Sequence, residues 1–277
     1  MMPREMMTRK AMPTIVASFL LLAAVGAGAE EEKQAPAIDP EAVAAVERMG
    51  DFLKTLTAYS VHAETTTDEV LVAGPKVQYG GAIEATVRMP DRLRLSFVRE
   101  DKDDQLFFYD GASLTIWLKD RASWAQAPVP ATIAEMIALV RGKYELSLPL
   151  DDLIRDAVRK ELLKNVTAGI VVGPGQIAGV ECDHLGFHQE GADWQLWIEK
   201  GDRPLPRKLV ITTLGEPSQP QHTEVLTWDL SPKIDDAQFT FTPPEGAQRI
   251  VLAEPSAPKS PRATSATPPA APKQEKH

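Results

Sequence analysis

The sequence contains a single cysteine, Cys182, among its 277 residues. One cysteine cannot form a disulfide within the chain, so the fold must be stabilised by a hydrophobic core, which a chain of this length can supply. Basic residues are also in the minority, because 30 lysines and arginines are outnumbered by 39 aspartates and glutamates. The net charge of −9 argues against nucleic acid as a partner, since phosphate binding requires a basic surface.

Short catalytic and cofactor-binding motifs are missing as well. The sequence contains no G-x-S-x-G, H-E-x-x-H or C-x-x-C pattern. Gly173, Gly175 and Gly179 have the wrong spacing for a nucleotide-binding loop, and Pro174 would remove one of the backbone amides that bind phosphate. We therefore expect that the protein is not an enzyme and that it needs no cofactor.

A possible metal site at Cys182, His184 and His188 also lacks support. These residues alternate along a predicted strand and should share one face. Cysteine and histidine are zinc ligands, but six extended residues separate the outer two by about 20 Å, too far for one ion. Cys182 and His184 could supply two ligands and would need two more. We expect no metal and interpret Cys182 as a small buried thiol beside partly exposed imidazoles.

Long apolar runs are absent, except for a run of about 15 residues near the N terminus, at 11–25. It follows three basic residues and precedes Ala27-Gly28-Ala29, an order typical of a secretory signal peptide. We predict that residues 1–29 are removed and that the mature chain begins at Glu30. A membrane anchor would need about 20 apolar residues, so no transmembrane segment is expected in the mature chain. Removing residues 1–29, which carry three basic residues and one acidic residue, changes the net charge from −9 to −11.

The rest of the chain alternates between two periods of apolar residues. Asp39 and Pro40 are typical of a helix start, and apolar residues then recur every three or four positions to Leu56. Shorter helices are predicted at 133–140 and 150–162. Alternating apolar and polar residues, broken by Gly, Pro and Asp, predict strands at 60–72, 77–88, 93–98, 105–109, 113–118, 123–126 and 167–172, and four more within 180–230. Short connections favour antiparallel pairing as a meander.

The stretch 180–230 shows most clearly how the predicted sheet is built. Trp194, Leu196 and Ile198 alternate with Gln195 and Glu199, so one face of that strand is apolar. An antiparallel sheet with one apolar face is therefore the predicted core. From residue 253 to 277, Pro, Ala, Ser and Thr dominate without apolar periodicity, which predicts a disordered tail. Such a tail could solubilise the protein or attach it to an anionic cell-wall or membrane surface.

Several short motifs resemble known families. MPDRLR at 89–94 and FYDGASLTIW at 108–117 resemble the LolA/LolB-type superfamily of lipoprotein carriers. The chain is more broadly similar, over about residues 39–250, to a family of uncharacterised predicted periplasmic proteins. That similarity is carried by YSVHA at 59–63, CDH at 182–184, DWQLWI at 193–198 and PLPRKLV at 204–210.

The resemblance implies a mainly β fold with helices (α+β), built from residues 30–252. In that superfamily, about eleven antiparallel strands form an unclosed half-barrel, covered by an N-terminal helix and two inserted helices. Our strand count from spacing is also about eleven. The resemblance further implies a periplasmic location and the binding of hydrophobic groups. Candidate wall residues for such a ligand are Leu95, Phe97, Phe108, Trp117, Trp194, Leu196 and Ile198. Alternatively, each of these residues packs against the covering helices.

Two functions are compatible with this sequence. In the first, the curved sheet binds a lipid, an acyl chain or the acyl groups of a lipoprotein, which requires no catalytic residue. In the second, the protein is an interaction or envelope-stress regulatory module that binds an envelope protein, for example through an unpaired edge strand.

Overall fold

The computed structural model describes residues 38–72, 74–154 and 162–254. The predicted signal peptide at 1–29 and residues 255–277 of the predicted tail lie outside the described residues. Three α-helices are described: α1 (Pro40–Thr55), α2 (Ile133–Tyr144) and α3 (Asp151–Ile154). A 3-10 helix covers Asp236–Phe239.

The strands follow one another in short steps. They are β1 (Ala58–Val70), β2 (Lys76–Arg88), β3 (Arg92–Arg99), β4 (Lys102–Tyr109), β5 (Ser113–Leu118), β6 (Ser123–Pro128), β7 (Val166–Ile177), β8 (Val180–Gln189), β9 (Ala192–Glu199), β10 (Pro206–Thr213), β11 (Gln221–Asp229) and β12 (Gln248–Arg249). The first eleven correspond to the strands predicted from alternation. The twelfth is only two residues long, too short to show a period.

All twelve strands form one sheet in the order β12-β6-β5-β4-β3-β2-β1-β11-β10-β9-β8-β7. Two antiparallel meanders, β1–β6 and β7–β11, are joined where β1 pairs with β11. The pairing of β12 with β6 is parallel, unlike the rest. The sheet is unclosed, with β7 and β12 at its edges, and the predicted mainly β fold with covering helices is confirmed.

Helix α1 begins where the sequence indicates. The Asp39 side chain accepts a hydrogen bond from the Glu41 amide at 2.8 Å, and Pro40 occupies the first turn, where its missing amide costs nothing. Ala42, Val46 and Met49 are completely buried at three- and four-residue steps. The helix therefore packs one apolar face on the sheet.

The inserted helices lie between β6 and β7. Thr132 caps α2, accepting a hydrogen bond from the Glu135 amide at 3.3 Å, as the capping sequence predicts. Helix α2 continues four residues beyond the predicted end at residue 140 and closes with Glu145 in the left-handed region. Helix α3 covers the start of the second predicted helix, and residues 155–161 of that prediction lie outside the described residues.

Two hydrophobic clusters lie on one face of the sheet, which we call the inner face. Core 1 joins β1–β5 to α2 and to residues 148–154, and it includes Leu226 of β11. Core 2 joins β8 and β9 to α1. The strand register shows that the two cores share a face. Leu226 of core 1 and Glu224 are two residues apart in β11, so their side chains point to the same face. Glu224 is opposite Leu209 in β10, and Leu209 is opposite Leu196 of core 2, so all of them lie on that face.

Candidate functional site

A pocket of about 430 Å³ opens on the inner face beside both cores. Its volume falls within the roughly 300–1,000 Å³ that is typical of small-ligand sites. Most of its wall is apolar, formed by Leu148, Pro149, Leu150, Leu153, Leu162, Ala192, Trp194, Leu209 and Ile211. The polar part of the wall consists of Arg141, Ser147, Gln189 and Glu224.

Strands β9 and β10 provide one side of the pocket. Ile211 lies opposite Trp194 in the register of the two strands, so both point to the inner face. Trp194 is only 6% exposed because it also stacks on Phe187, with ring centroids 4.1 Å apart. Leu209 and Ile211 are only partly buried. Apolar surface on β10 is therefore available to a ligand.

The connection between α2 and α3 provides the other side. Leu150 adopts a left-handed backbone conformation with φ of 58°, which is unfavourable for a branched side chain. Its carbonyl accepts hydrogen bonds from the amides of Leu153 and Ile154, the last two residues of α3. This sharp turn directs Leu148 and Leu150 into the space between the helices and the sheet, where both are buried in core 1.

A chain of polar contacts runs along the inner face to the pocket wall. Thr67 Oγ1 and His222 Nδ1 are 2.8 Å apart, and His222 Nε2 lies 3.1 Å from Glu224 Oε1. Because a carboxylate can only accept a hydrogen bond, the N–H at His222 Nε2 is the donor to Glu224. Glu224 is 9% exposed and lies opposite Thr65, which is 4% exposed. The mostly apolar pocket thus contains an oriented carboxylate in its wall.

Five of the seven predicted wall residues lie on the inner face. Leu95 is completely buried in core 1, and Phe97 packs against that core while remaining partly exposed. Leu196 and Ile198 are 2% and 3% exposed in core 2 with α1. Trp194 is the only one of the seven that also lines the pocket. Contact of these residues with a ligand stays a prediction.

Phe108 and Trp117 lie on the opposite, outer face. Both pack on Phe241 of the C-terminal segment, with centroids 5.4 Å away in each case. Arg94, which is opposite Phe108 in β3, places its guanidinium 5.8 Å from the Phe108 ring. The seven residues therefore do not form one wall. Residues 106–109 are all apolar, so alternation could not indicate which of them face inward.

The residues that do line the pocket were mostly missed by sequence reasoning. Leu209 and Ile211 alternate in β10 in the same way as Leu196 and Ile198 in β9, and this signal was available. The residues between α2 and α3 gave no such signal, because the Leu150 turn interrupts any period. Glu224 and His222 look like other polar strand residues in the sequence. Only the strand register, which pairs them with Leu209 and Ile211, shows that they lie on the inner face.

Cys182, His184 and His188 share the outer face of β8, as alternation predicts. Cys182 is completely buried, its thiol donates to the Val180 carbonyl at 3.4 Å, and burial raises the pKa of this thiol. His184 stacks on Trp197 with centroids 4.0 Å apart, whereas His188 Nδ1 lies 2.6 Å from Asp193 Oδ1. Among the described residues, no group of three potential ligands is arranged to hold a metal ion.

The fold and the pocket define a mainly β protein with an unclosed sheet, covered by helices on its inner face. Within the described ranges, no helix is both long and apolar enough to cross a membrane. Residues 42–253 match the family described as "Predicted periplasmic protein (DUF2092)", and the chain belongs to this family. The family resemblance inferred from the short motifs is thereby confirmed. Comparison with curated proteins gave no match.

The solved structures that match this chain share little sequence with it. Lipoprotein LppX of Mycobacterium tuberculosis is 15% identical, with a TM-score of 0.43 over 71% of this chain and 100% of its own. The MucA/MucB complex of Pseudomonas aeruginosa matches at 14% identity and a TM-score of 0.40, over 73% of this chain and 61% of that chain. A LolA superfamily protein of Nitrosomonas europaea is 9% identical, with a TM-score of 0.31 over 72% and 97% of the two chains. Family membership rests on the sequence match.

Proposed function

We propose that this protein binds a hydrophobic ligand, such as a lipid or an acyl chain, in the inner-face pocket and catalyses no reaction. The pocket of about 430 Å³ with its largely apolar wall is the observation that carries this proposal. Each methylene group that leaves water for such a wall contributes roughly 0.8 kcal/mol, so a single alkyl chain would supply most of the affinity.

The arrangement of the two cores supports this position for the ligand. Helix α2 and residues 148–154 fill the inner face over β1–β5, and α1 fills it over β8 and β9. The partly buried Leu209 and Ile211 of β10 lie between these two covered regions. An alkyl chain in the pocket would complete the apolar layer there.

The family description and the N-terminal sequence support a source for the ligand. The family is described as one of predicted periplasmic proteins, and residues 1–29 have the pattern of a secretory signal peptide. A protein at that location is surrounded by membrane lipids and lipoproteins, which carry acyl chains. We therefore propose the cell envelope as the source of the ligand.

Filling the pocket tests this function. Ile211→Trp places a large ring on the pocket wall, and Ile170→Trp adds the same ring to an outer-face position that is 56% exposed. Titration with a fluorescently labelled alkyl alcohol, whose head carries no charge, should show binding to the wild type and to Ile170→Trp, and at least about tenfold weaker binding to Ile211→Trp. Absence of binding to the wild type, or equal binding to all three proteins, contradicts the proposal.

A protein-interaction module is the second candidate, and edge strand β7 favours it. Ile170 and Val172 of this strand are 56% and 52% exposed, although they are large apolar residues. Apart from the bridge between Ile38 and Gly169, the described residues pair β7 only with β8. Native mass spectrometry of protein purified from the envelope tests this function. A stoichiometric protein partner that is lost in Ile170→Lys would favour it over lipid binding.

A further inference from the structure

We infer that the ligand is an amphiphile with a cationic, hydrogen-bond-donating head, such as a primary ammonium group, which binds the carboxylate of Glu224. This inference rests on the proposed function, because it assigns the polar end of a ligand whose alkyl chain occupies the pocket. Glu224 is the acidic residue among those that line the pocket.

The strand register places Glu224 at the boundary between the polar and apolar parts of the wall. Leu209, which lies opposite it in β10, is part of the apolar wall. On the other side, Glu224 is opposite Thr65 in β1. An amphiphile bound along Leu209 would therefore bring its polar end to the carboxylate.

Glu224 is oriented by the chain but retains capacity for a ligand. His222 Nε2 donates to Oε1 at 3.1 Å, and Thr67, 2.8 Å from Nδ1, fixes the orientation of the imidazole ring. Within the described parts of the chain, this is the only hydrogen bond to the Glu224 side chain. An ionised carboxylate accepts several hydrogen bonds, so Oε2 can accept from a ligand.

The sign of the charge selects among ligand heads. In a mostly apolar wall, a carboxylate attracts an ammonium group strongly and repels the carboxylate of a fatty acid. Arg141 also lines the pocket and carries the opposite charge. Its buried Nε makes no hydrogen bond to the described residues, but the residue already has an interaction within the protein. We therefore expect Glu224, and not Arg141, to determine the preferred head group.

Three probes with the same dodecyl chain separate charge from hydrogen bonding. Dodecylammonium has a cationic head with N–H donors, dodecyltrimethylammonium has a cationic head without donors, and dodecanoate is anionic. Calorimetric titration below their micelle concentrations should give the tightest binding for dodecylammonium, about ten- to hundredfold tighter than dodecanoate. Dodecyltrimethylammonium should bind with intermediate affinity, because it keeps only the charge.

Two variants localise the preference to the pocket. Glu224→Gln preserves the shape of the side chain and removes its charge, and it should abolish the preference for dodecylammonium. Glu84→Gln is the matched control, because Glu84 is an exposed strand carboxylate that also contacts a histidine, His62. It removes the same charge from this acidic protein and should leave the preference unchanged.

The outcomes separate this inference from the proposed function. Equal binding of the probes to the wild type, tighter binding of dodecanoate, or a preference that survives Glu224→Gln would each overturn the head-group assignment while leaving hydrophobic binding intact. Failure of every probe to bind would overturn both. If Glu224→Gln does not fold, Ile211→Trp provides the test. A preference for dodecylammonium that persists when the pocket is filled would arise from the acidic surface, and this result would overturn the inference.

Discussion

At the scale of single residues, Leu196 and Leu209 are cross-strand neighbours on the inner face with different surroundings. Leu196 is 2% exposed and packs in core 2 beneath α1. Leu209 is partly buried and lines the pocket. A leucine is thus part of the closed core in β9, whereas the leucine opposite it in β10 lines the proposed ligand site.

Replacing each leucine by alanine measures this difference. Leu196→Ala should lower the free energy of unfolding by about 2–5 kcal/mol, because it leaves a cavity in a closed core. Leu209→Ala should cost less than about 2 kcal/mol, since part of its surface already faces the pocket, and should weaken binding of the fluorescently labelled alkyl alcohol. Urea denaturation measures both losses. Equal losses would mean that the pocket is closed in solution.

His62 provides a prediction about pH on the outer face. Its Nε2 lies 2.8 Å from Glu64 Oε1 and its Nδ1 lies 2.7 Å from Glu84 Oε1. The hydrogen bond to Glu64, with a smaller contribution from Glu84, raises the pKa of His62 above 6.5, although burial opposes it. Titration by NMR should show this raised pKa in the wild type and a lower pKa in Glu64→Gln, with exposed Glu216→Gln as the control.

The raised pKa of His62 also determines whether its contribution to stability increases or decreases with pH. Because the pKa of His62 is higher in the folded state, its contribution is fully present below the unfolded-state pKa, about 6.5, and is lost as pH rises through the raised folded-state pKa. The difference in unfolding free energy between the wild type and His62→Gln should therefore shrink with rising pH. A difference that grows with pH would contradict the assigned contacts.

At the scale of elements, the C-terminal segment covers part of the outer face. Phe239 is 1% exposed, and Phe241 packs among Phe108, Trp117 and Trp124 with centroids 5.4–5.8 Å away. Further along the chain, β12 pairs with β6. Residues 236–249 are therefore an integral part of the fold.

Two truncations test where the folded domain ends. Ending the chain after Glu254 should leave the melting temperature unchanged, because the predicted tail has no large apolar residues to bury. Ending it after Lys233 removes Phe239, Phe241 and β12, and should cost at least about 3 kcal/mol, as for the loss of one buried aromatic ring. Similar melting temperatures for the two truncated proteins would show that the C-terminal segment does not pack on the sheet in solution.

The elements differ in how far the sequence predicts them. Helix α1 follows from Asp39, Pro40 and the apolar stripe behind them, all of which act within a few residues. Strand β12 could not be predicted, because two residues show no alternation and its parallel partner β6 is distant in sequence. The second inserted helix is described only over Asp151–Ile154.

At the scale of the whole molecule, one sheet connects both hydrophobic cores. Leu56, Trp228 and Leu230 pack against core 1 and core 2 alike. Strands β1 and β11, which pair with each other, continue the sheet from one meander to the other. The region that matches the family, residues 42–253, includes both cores and the pocket.

Export is the prediction that concerns the entire chain. We expect cleavage after Ala29, because Ala27-Gly28-Ala29 fits the small-residue preference of signal cleavage and follows the apolar run. N-terminal sequencing of protein recovered from the periplasm should start at Glu30. Recovery of the chain from the membrane fraction with Met1 intact would contradict the predicted signal peptide.

The sequence by itself determined the strand pattern, the start of α1, the α2 cap and the family. These features depend on neighbouring residues, through alternation, capping and short motifs. Only the tertiary structure decided that Phe108 and Trp117 lie on the outer face and that Leu196 is buried in a closed core. It also decided that Leu209 and Glu224 line the same pocket. The pocket is the space left where segments distant in sequence, from the α2–α3 connection to β11, pack around a shared sheet. No local pattern encodes that space, because its size depends on how the two cores pack against each other.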